Sequence, residues 1–281
     1  MKMKRVINFG FGFLMFASCS SPSQPEDTTV ETQSDTIQTV SIEKHEIAYS
    51  TDSTTMNGYV AYKNNLTEKK PGILVVHEWW GHNDYARKRA DMLAELGYVA
   101  LAVDMYGDGK QASHPADAGG FAGAVMGNFE EAKARFAKAI ETLKATPNVD
   151  TTKIAAIGYC FGGSVALAMA NSGFDLDAVA AFHSGLQLPV NPQEGMVKGK
   201  VLICNGSDDP FIPIEQVTSY KSLLDGAGVD YKYVSYEGTV HAFTNPGADA
   251  VGEKFELPLK YNKESDEKSW VELQELLESV F

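Results

Sequence analysis

Short apolar runs of five or six residues alternate along the chain with longer segments in which apolar residues recur every three or four positions. The central runs are continuously apolar, which is typical of parallel strands covered on both faces. The longer segments are typical of amphipathic helices. We therefore predict an α/β fold with a mostly parallel central sheet and helices on both faces. The predicted strands are Glu46–Ser50, Gly58–Tyr62, Ile73–His77, Val99–Asp104, Ile154–Gly158, Ala178–His183, Val201–Asn205 and Tyr231–Tyr236, and the predicted helices are Tyr85–Leu96, Asn128–Ala145, Phe161–Asn171, Ile214–Ala227 and Asp266–Val280.

The N-terminal segment has the pattern of an export signal. Three basic residues precede an apolar run at positions 6–17. The run is shorter than the roughly 20 apolar residues of a transmembrane helix, but it has the length of a signal-peptide core. The sequence Phe16-Ala17-Ser18-Cys19 resembles a bacterial lipobox, in which the cysteine becomes the lipid-modified first residue of the mature protein. Phe16 departs from that pattern, which usually has leucine there.

A polar segment, Ser20 to Gln38, follows Cys19 and has the composition of a solvated tether. We therefore predict a signal peptide over residues 1–18, a lipobox cysteine and flexible tether over 19–40, and one α/β domain over 41–281. In this interpretation the protein is exported and anchored by lipid on Cys19 to a bacterial membrane, in the periplasm or at the cell surface. The alternative is an ordinary secretory signal whose cleavage site lies near Cys19 by chance.

The charge balance excludes one class of partner. The chain has 24 Lys and Arg against 37 Asp and Glu, a formal net charge of -13, and loss of the three basic residues before Cys19 would make it -16. Such a chain offers no extended basic surface for phosphates, so we expect no nucleic-acid binding. It also shows no metal-ligand spacing and no phosphate-binding glycine loop, so no cofactor is expected.

Only three cysteines occur, too few for a disulfide framework, and Cys160 has the most informative surroundings. The sequence Gly158-Tyr159-Cys160-Phe161-Gly162-Gly163 lies between an apolar strand and a helix, which is the pattern of a nucleophile elbow with cysteine in the serine position. Glycines flank the cysteine because the turn is too sharp for larger side chains. The helix N-terminus favours a thiolate there. The alternative is an inert cysteine in a glycine-rich turn, and Cys204, at the end of an apolar strand, is interpreted as such a packing residue.

A cysteine nucleophile needs a base and an acid, which follow it in that fold in the order nucleophile, acid, base. His241 comes just after the last apolar strand, and Asp209 follows the preceding strand. We predict that Asp209 orients His241, with Asp208 in a turn or capping role. His183 also ends an apolar strand and competes as base, but it precedes the acid. The remaining candidates for ordinary surface positions are His45, His82 and His114.

The loop His77-Glu78-Trp79-Trp80-Gly81 ends another predicted strand. Such folds take their second oxyanion-hole amide from this loop and the first from the residue after the nucleophile, so we predict the Trp79 and Phe161 amides as donors. Glu78 lies beside two tryptophans, and apolar neighbours would raise the pKa of its carboxyl and make it a usable base. A solvated surface glutamate is the alternative.

From about Gly72 to Phe281 these motifs closely resemble the dienelactone hydrolases, a branch of the α/β-hydrolase fold. The resemblance rests on the Glu78 loop, the elbow around Cys160, Asp209 before Phe211-Ile212-Pro213, and His241 before Ala242-Phe243. It implies an α/β-hydrolase that cleaves a small-molecule ester or lactone through Cys160, with His241 and Asp209 completing a triad. It also implies that Glu78 takes the thiol proton when substrate binds.

The chain departs from the family in its arginines. Family members of the muconate pathway hold the substrate carboxylate with two arginines, one shortly after the catalytic histidine. Here Asn245 stands in that region, no arginine follows Arg135, and Arg135 is expected to be a solvated charge on a helix. Dienelactone itself is therefore not the expected substrate. A thioesterase or acyltransferase with the same triad, or a binding lipoprotein without activity, are the alternative functions.

Overall fold

The computed structural model describes Gly10, residues 12–17 and residues 40–281. Cys19 and most of the predicted signal peptide and tether lie outside the described residues. Residues 40–281 belong to one compact unit. Within the described part of the chain, no helix is long and apolar enough to cross a membrane.

Eight strands form one sheet with the order β1-β2-β4-β3-β5-β6-β7-β8. The first two strands pair antiparallel, β2 joins β4 antiparallel, and the other neighbours are all parallel. All eight predicted strands are present, some with longer bounds. They are β1 Ile42–Ser50, β2 Thr55–Lys63, β3 Lys70–Val76, β4 Val99–Val103, β5 Val149–Tyr159, β6 Ala178–Phe182, β7 Lys200–Gly206 and β8 Tyr231–Tyr236.

The described helices cover both faces of this sheet. They are α1 Asp84–Glu95, α2 Pro115–Gly127, α3 Phe129–Ala145, α4 Phe161–Asn171, α5 Ile214–Gly226, α6 Ala248–Phe255 and α7 Lys263–Val280. Successive residues of a strand point to opposite faces, so Ile73 and Val75 of β3 pack in the cluster with α1 and α7. Leu74 and Val76 pack on the other face, in the cluster with α3, α4 and α5. The predicted architecture, with helices on both faces, is confirmed.

Two helices are absent from the sequence prediction. In α2, four of 13 residues are glycine, which lowers helix propensity, and the helix begins with a proline after the capping side chain of His114. The other, α6, has only eight residues, too few for a clear helical period. Both follow strands of the parallel sheet by way of long loops, so they lie where such folds build their sites.

Two polar residues are more buried than the sequence predicts. His82 was expected at the surface but is 1% exposed, and burial lowers the pKa of its imidazole to about 3. Its backbone carbonyl accepts a hydrogen bond from the side-chain amide of Gln111, which lies in the loop before α2. That loop therefore covers His82. Arg135 is likewise not a solvated charge, because its guanidinium pairs with Glu131 and donates to two backbone carbonyls of the β4–α2 connection.

Candidate active site

The turn between β5 and α4 places Cys160 alone between a strand and a helix. Its φ of 53° lies in the left-handed region, which a non-glycine residue adopts only where the surroundings hold it. The Cys160 amide donates to the Phe182 carbonyl of β6 at 2.9 Å, which is one such restraint. A Cβ on Gly158 would overlap the Gly162 backbone, and one on Gly162 would overlap the end of β3. The glycines therefore let α4 start directly against the sheet, with the half-exposed Cys160 at its N-terminus.

His241 lies in the loop after β8 and contacts Asp209, which follows β7. The Nδ1 atom of His241 is 2.7 Å from Oδ2 of Asp209, whose side chain is fully buried. The other oxygen of Asp209 accepts the Phe211 amide at 2.9 Å, so the carboxylate cannot rotate away. Burial disfavours the charged imidazole, but the charge of Cys160 and the hydrogen bond and charge of Asp209 outweigh it and raise the pKa of His241 to about 10. Of the two groups predicted to act with His241, Asp209 is thus hydrogen-bonded to it, and Cys160 is near enough for its charge to act on the imidazole.

His183, the competing base, is bound to Thr244. Its Nε2 atom is 2.7 Å from the Thr244 hydroxyl, and its Nδ1 atom is buried with no hydrogen-bond partner among the described residues. Burial, together with the charges of His241 and Arg89, lowers the pKa of His183 well below its ordinary value. Its ring packs edge-on against the His241 ring with centroids 5.1 Å apart. His183 therefore supports His241 from behind and stays neutral.

Glu78 is buried at 3% exposure, which excludes the solvated surface position. Its Oε2 atom accepts a 2.7 Å hydrogen bond from the side-chain amide of Asn245. Burial raises the pKa of Glu78 to about 7, although the Asn245 hydrogen bond and the charges of His241 and Arg89 oppose the rise. A carboxyl with that pKa exchanges a proton near neutral pH.

The two amides predicted as oxyanion donors lie in neighbouring segments, the Trp79 amide in the loop after β3 and the Phe161 amide at the start of α4. Phe161 is the first residue of α4, so its amide has no partner within the helix. The Trp79 amide makes no hydrogen bond to another described residue, while the Trp79 carbonyl accepts the Tyr106 hydroxyl at 2.8 Å. The close approach of Gly162 to the end of β3 brings the two donor segments together. Tyr106, which fixes the Trp79 loop, is a residue that the sequence pattern did not indicate.

Arg89 of α1 is a second unpredicted contributor. It is buried and pairs with Asp266 at 2.6 Å, and its guanidinium donates to the Thr244 carbonyl at 2.5 Å. It also lies over three aromatic rings, those of Tyr85, Tyr159 and Trp270. Thr244 stands between His241 and Asn245, so this network anchors the loop that holds both. No local spacing could have indicated a contact across 155 residues.

Comparison with known proteins places this site in a family. The model of the dienelactone hydrolase family matches residues 56–281, which is most of the chain. The chain belongs to the dienelactone hydrolase family. The family's α/β-hydrolase fold agrees with the sheet and helices described above, and the predicted fold class is confirmed.

Curated relatives and solved structures agree with this family assignment. Protein usf of Aquifex pyrophilus is 31% identical over 180 residues, which cover 62% of this chain and 77% of that protein. A putative carboxymethylenebutenolidase of Aquifex aeolicus is 29% identical over the same shares. Among structures, m3DLH is 36% identical with a TM-score of 0.81, covering 85% of this chain and 99% of its own. A dienelactone hydrolase-like promiscuous phosphotriesterase from metagenomic libraries is 30% identical with a TM-score of 0.78 over the same shares.

Membership of the dienelactone hydrolase family supports hydrolase activity on an ester or lactone. The family match runs from β2 through α7, so it includes every described strand and helix of the domain except β1. The family therefore gives the class of reaction.

Proposed function

We propose that the protein hydrolyses a carboxylic ester or lactone through a covalent acyl-enzyme on Cys160. One observation carries this proposal: Nδ1 of His241 is 2.7 Å from the buried Asp209 carboxylate, and Cys160 at the elbow is near enough for its charge to raise the pKa of His241. A nucleophile, a base and an orienting acid placed in this order are the arrangement of a triad.

In the first step the Cys160 thiolate, paired with the His241 imidazolium, attacks the substrate carbonyl carbon. The carbonyl oxygen becomes an oxyanion beside the Phe161 and Trp79 amides, which stabilise it. The tetrahedral intermediate collapses, the bond to the alcohol oxygen breaks, and His241 gives its proton to the leaving alkoxide. A thioester to Cys160 and a neutral His241 remain.

In the second step neutral His241 takes a proton from water, and the hydroxide attacks the thioester carbonyl. The carbon–sulfur bond breaks, the acid leaves, and the thiolate and imidazolium form again. Asp209 keeps the Nδ1 side of His241 protonated throughout, which leaves the other ring nitrogen free for Cys160, the alkoxide and water.

Glu78 has a separate role in this proposal. Its pKa of about 7 makes it an acceptor for the thiol proton when Cys160 is not yet ionised. Its only described side-chain hydrogen bond is to Asn245, a neutral donor, so the carboxylate has no cation in direct contact. Glu78 is thus able to gain or lose a proton near neutral pH.

The deciding experiment compares two cysteine variants. Cys160→Ala should abolish hydrolysis of short p-nitrophenyl esters, whereas Cys204→Ala should keep it, because Cys204 is fully buried and its pKa is raised to about 12 by burial. Mass spectrometry should detect an acyl group on Cys160 in the wild type. Full activity of Cys160→Ala with an intact fold would end the proposal.

Two alternatives give different results in the same assays. A thioesterase or acyltransferase would use the same triad but favour thioesters, or transfer the acyl group to an added alcohol. A binding lipoprotein without activity would show no turnover, and iodoacetamide would alkylate Cys160 only at the rate of an ordinary thiol.

We also propose that the protein is exported and held at a membrane by lipid on Cys19. The support is the basic start, the apolar run at positions 6–17 and the small residues before Cys19. Radioactive palmitate fed to expressing bacteria should label the protein. Cys19→Ser should lose the label and enter the soluble fraction, and equal labelling of both proteins would contradict the proposal.

A further inference from the structure

A cavity of about 340 Å³ opens beside the candidate catalytic groups. It lies between the loop after β3 and helix α6. Glu78, Asn245 and Ala242 are among its lining residues, and Ala242 directly follows His241 in the chain. Trp80, next to the proposed oxyanion donor Trp79, lines it as well. The cavity therefore borders the loops that carry the candidate catalytic groups.

The outer walls of the cavity are apolar and aromatic. Val251 and Leu259 line it together with the rings of Trp80 and Phe255, which pack nearly parallel with centroids 6.1 Å apart. The Lys254 ammonium lies 4.7 Å from the centre of the Phe255 ring, and the His114 ring packs edge-to-face with the Phe255 ring. Half-exposed apolar side chains in a concavity beside catalytic groups are the usual composition of a ligand site.

We propose that this cavity receives an aromatic arm of the ester substrate, so that the enzyme prefers esters carrying a phenyl-sized ring. This inference rests on the proposed ester hydrolysis. An apolar cavity of about 150 Å³ is enough to bind benzene, so the volume here holds one ring and the atoms that link it to the carbonyl. Aromatic walls add offset-stacked and edge-to-face contacts to the burial of the ring.

The charges that line the cavity restrict the arm further. The Glu78 carboxyl is one of them, and its partner Asn245 is neutral, so an anionic group beside this pair would be repelled whenever Glu78 is ionised. Lys254 also lines the cavity, but its ammonium lies over the Phe255 ring on α6. Beside Glu78 the cavity thus favours a neutral aromatic arm over the carboxylate that the missing arginines would bind.

The test compares three esters of similar intrinsic reactivity: ethyl acetate, ethyl phenylacetate and benzyl acetate. We expect one of the two aromatic esters to exceed ethyl acetate in kcat/KM by at least about tenfold, the scale on which pocket contacts discriminate apolar groups. Val251→Phe fills the cavity from its α6 wall and should lower the ratio of aromatic to ethyl kcat/KM by about the same factor. The favoured aromatic ester identifies which side of the ester enters.

Val271→Phe is the matched control, because Val271 is 51% exposed on α7 and does not line the cavity. It should leave the ratio at the wild-type value. An unchanged ratio in Val251→Phe, or no preference for either aromatic ester in the wild type, would overturn the inference while ester hydrolysis stands.

A binding measurement separates this inference from the proposed reaction. The neutral, unreactive probe 2-phenylacetamide should bind the wild type in isothermal titration calorimetry, should bind Val271→Phe equally, and should bind Val251→Phe at least about tenfold more weakly. If the probe binds in this pattern but the protein hydrolyses no ester, the aromatic cavity stands and the hydrolase proposal is wrong. Equal binding to all three proteins would show that the cavity does not bind the aromatic ring.

Discussion

The side-chain amide of Asn245 donates a 2.7 Å hydrogen bond to the carboxylate of Glu78. The two residues are 167 positions apart and meet because the loop after β3 and the loop after β8 both end at the same edge of the sheet. A neutral amide in this place satisfies the carboxylate without neutralising it. Much of the expected behaviour of the site, in pH dependence and in the charge of its substrate, follows from that pair.

The first prediction changes the charge of Asn245. The wild type should hydrolyse neutral lactones better than lactones bearing a carboxylate, and Asn245→Arg should narrow that difference by about tenfold, because a charged hydrogen bond to the substrate is gained. The measurement is the ratio of kcat/KM for a matched pair of lactones. Asn191→Arg, at an exposed position outside the site, should leave the ratio unchanged. If the carboxylate lactone is already a good wild-type substrate, the argument from absent arginines is wrong.

The second prediction concerns the buried carboxyl of Glu78. Burial raises its pKa from the ordinary 4.5 to about 7, so the folded protein binds this proton more tightly than the unfolded chain does between those pH values. The stabilisation is therefore fully present below pH 4.5 and is lost as the pH rises through 7, by about 3 kcal/mol for one such carboxyl.

Glu78→Gln removes this titration. The difference in unfolding free energy between Glu78→Gln and the wild type should shift in favour of the variant from pH 5 to pH 8, measured by urea unfolding. Glu237→Gln, at an exposed glutamate, should show no such trend. A difference that stays constant with pH would mean that Glu78 titrates at an ordinary value.

The third prediction tests the contact between Asp209 and His241. Asp209→Asn keeps the shape of the side chain but no longer holds the proton on Nδ1 of His241. We expect kcat for ester hydrolysis to fall by at least about 100-fold, since the corresponding change in serine triads costs about 10⁴. The KM should change little. Asp208→Asn, at the exposed neighbouring aspartate, should keep wild-type kcat, and equal losses in both variants would contradict the assignment of Asp209.

The fourth prediction concerns the loop that carries the Trp79 amide. Tyr106→Phe removes the 2.8 Å hydrogen bond from the Tyr106 hydroxyl to the Trp79 carbonyl. The loop loosens without loss of the amide itself, so kcat should fall by less than the roughly 100-fold expected for a missing oxyanion donor. Tyr231→Phe, whose hydroxyl bonds the exposed Asp225, is the control and should keep full activity. Unchanged kcat in Tyr106→Phe would show that the Trp79 amide needs no such support.

The sequence predicted the parts of this molecule whose signal is local. Continuous apolar runs mark the buried parallel strands because both faces of the sheet are covered, and the glycines around Cys160 mark a turn that admits no side chain. The chain order of nucleophile, acid and base led to Asp209 and His241, which the structure brings into contact at 2.7 Å. What these groups do in a reaction remains a proposal.

Contacts between distant segments carried no such signal. Nothing beside Asn245 indicates that its amide would reach Glu78, and nothing beside Arg89 indicates that it would reach Thr244, because only the folded sheet brings these loops together. The prediction that Arg135 and His82 lie at the surface is wrong for a related reason. Polar residues are usually exposed, and their burial depends on carbonyls and loops supplied by other elements.

The last prediction tests whether Arg89 supports the His241 loop. Arg89→Met leaves the partly exposed Asp266 carboxylate without its buried partner and frees the Thr244 carbonyl, so it should cost about 3 kcal/mol of unfolding free energy, the lower end for breaking a buried ion pair. The His241 loop loses an anchor as well, and activity per folded molecule should therefore fall.

Arg87→Met provides the control, because Arg87 lies two residues away on the same helix and pairs with the exposed Glu46. Surface ion pairs contribute under about 1 kcal/mol, and activity of that variant should be unchanged. Chemical unfolding and active-site titration measure the two effects separately. A stable Arg89→Met protein with full activity per site would show that the loop is held by its other contacts alone.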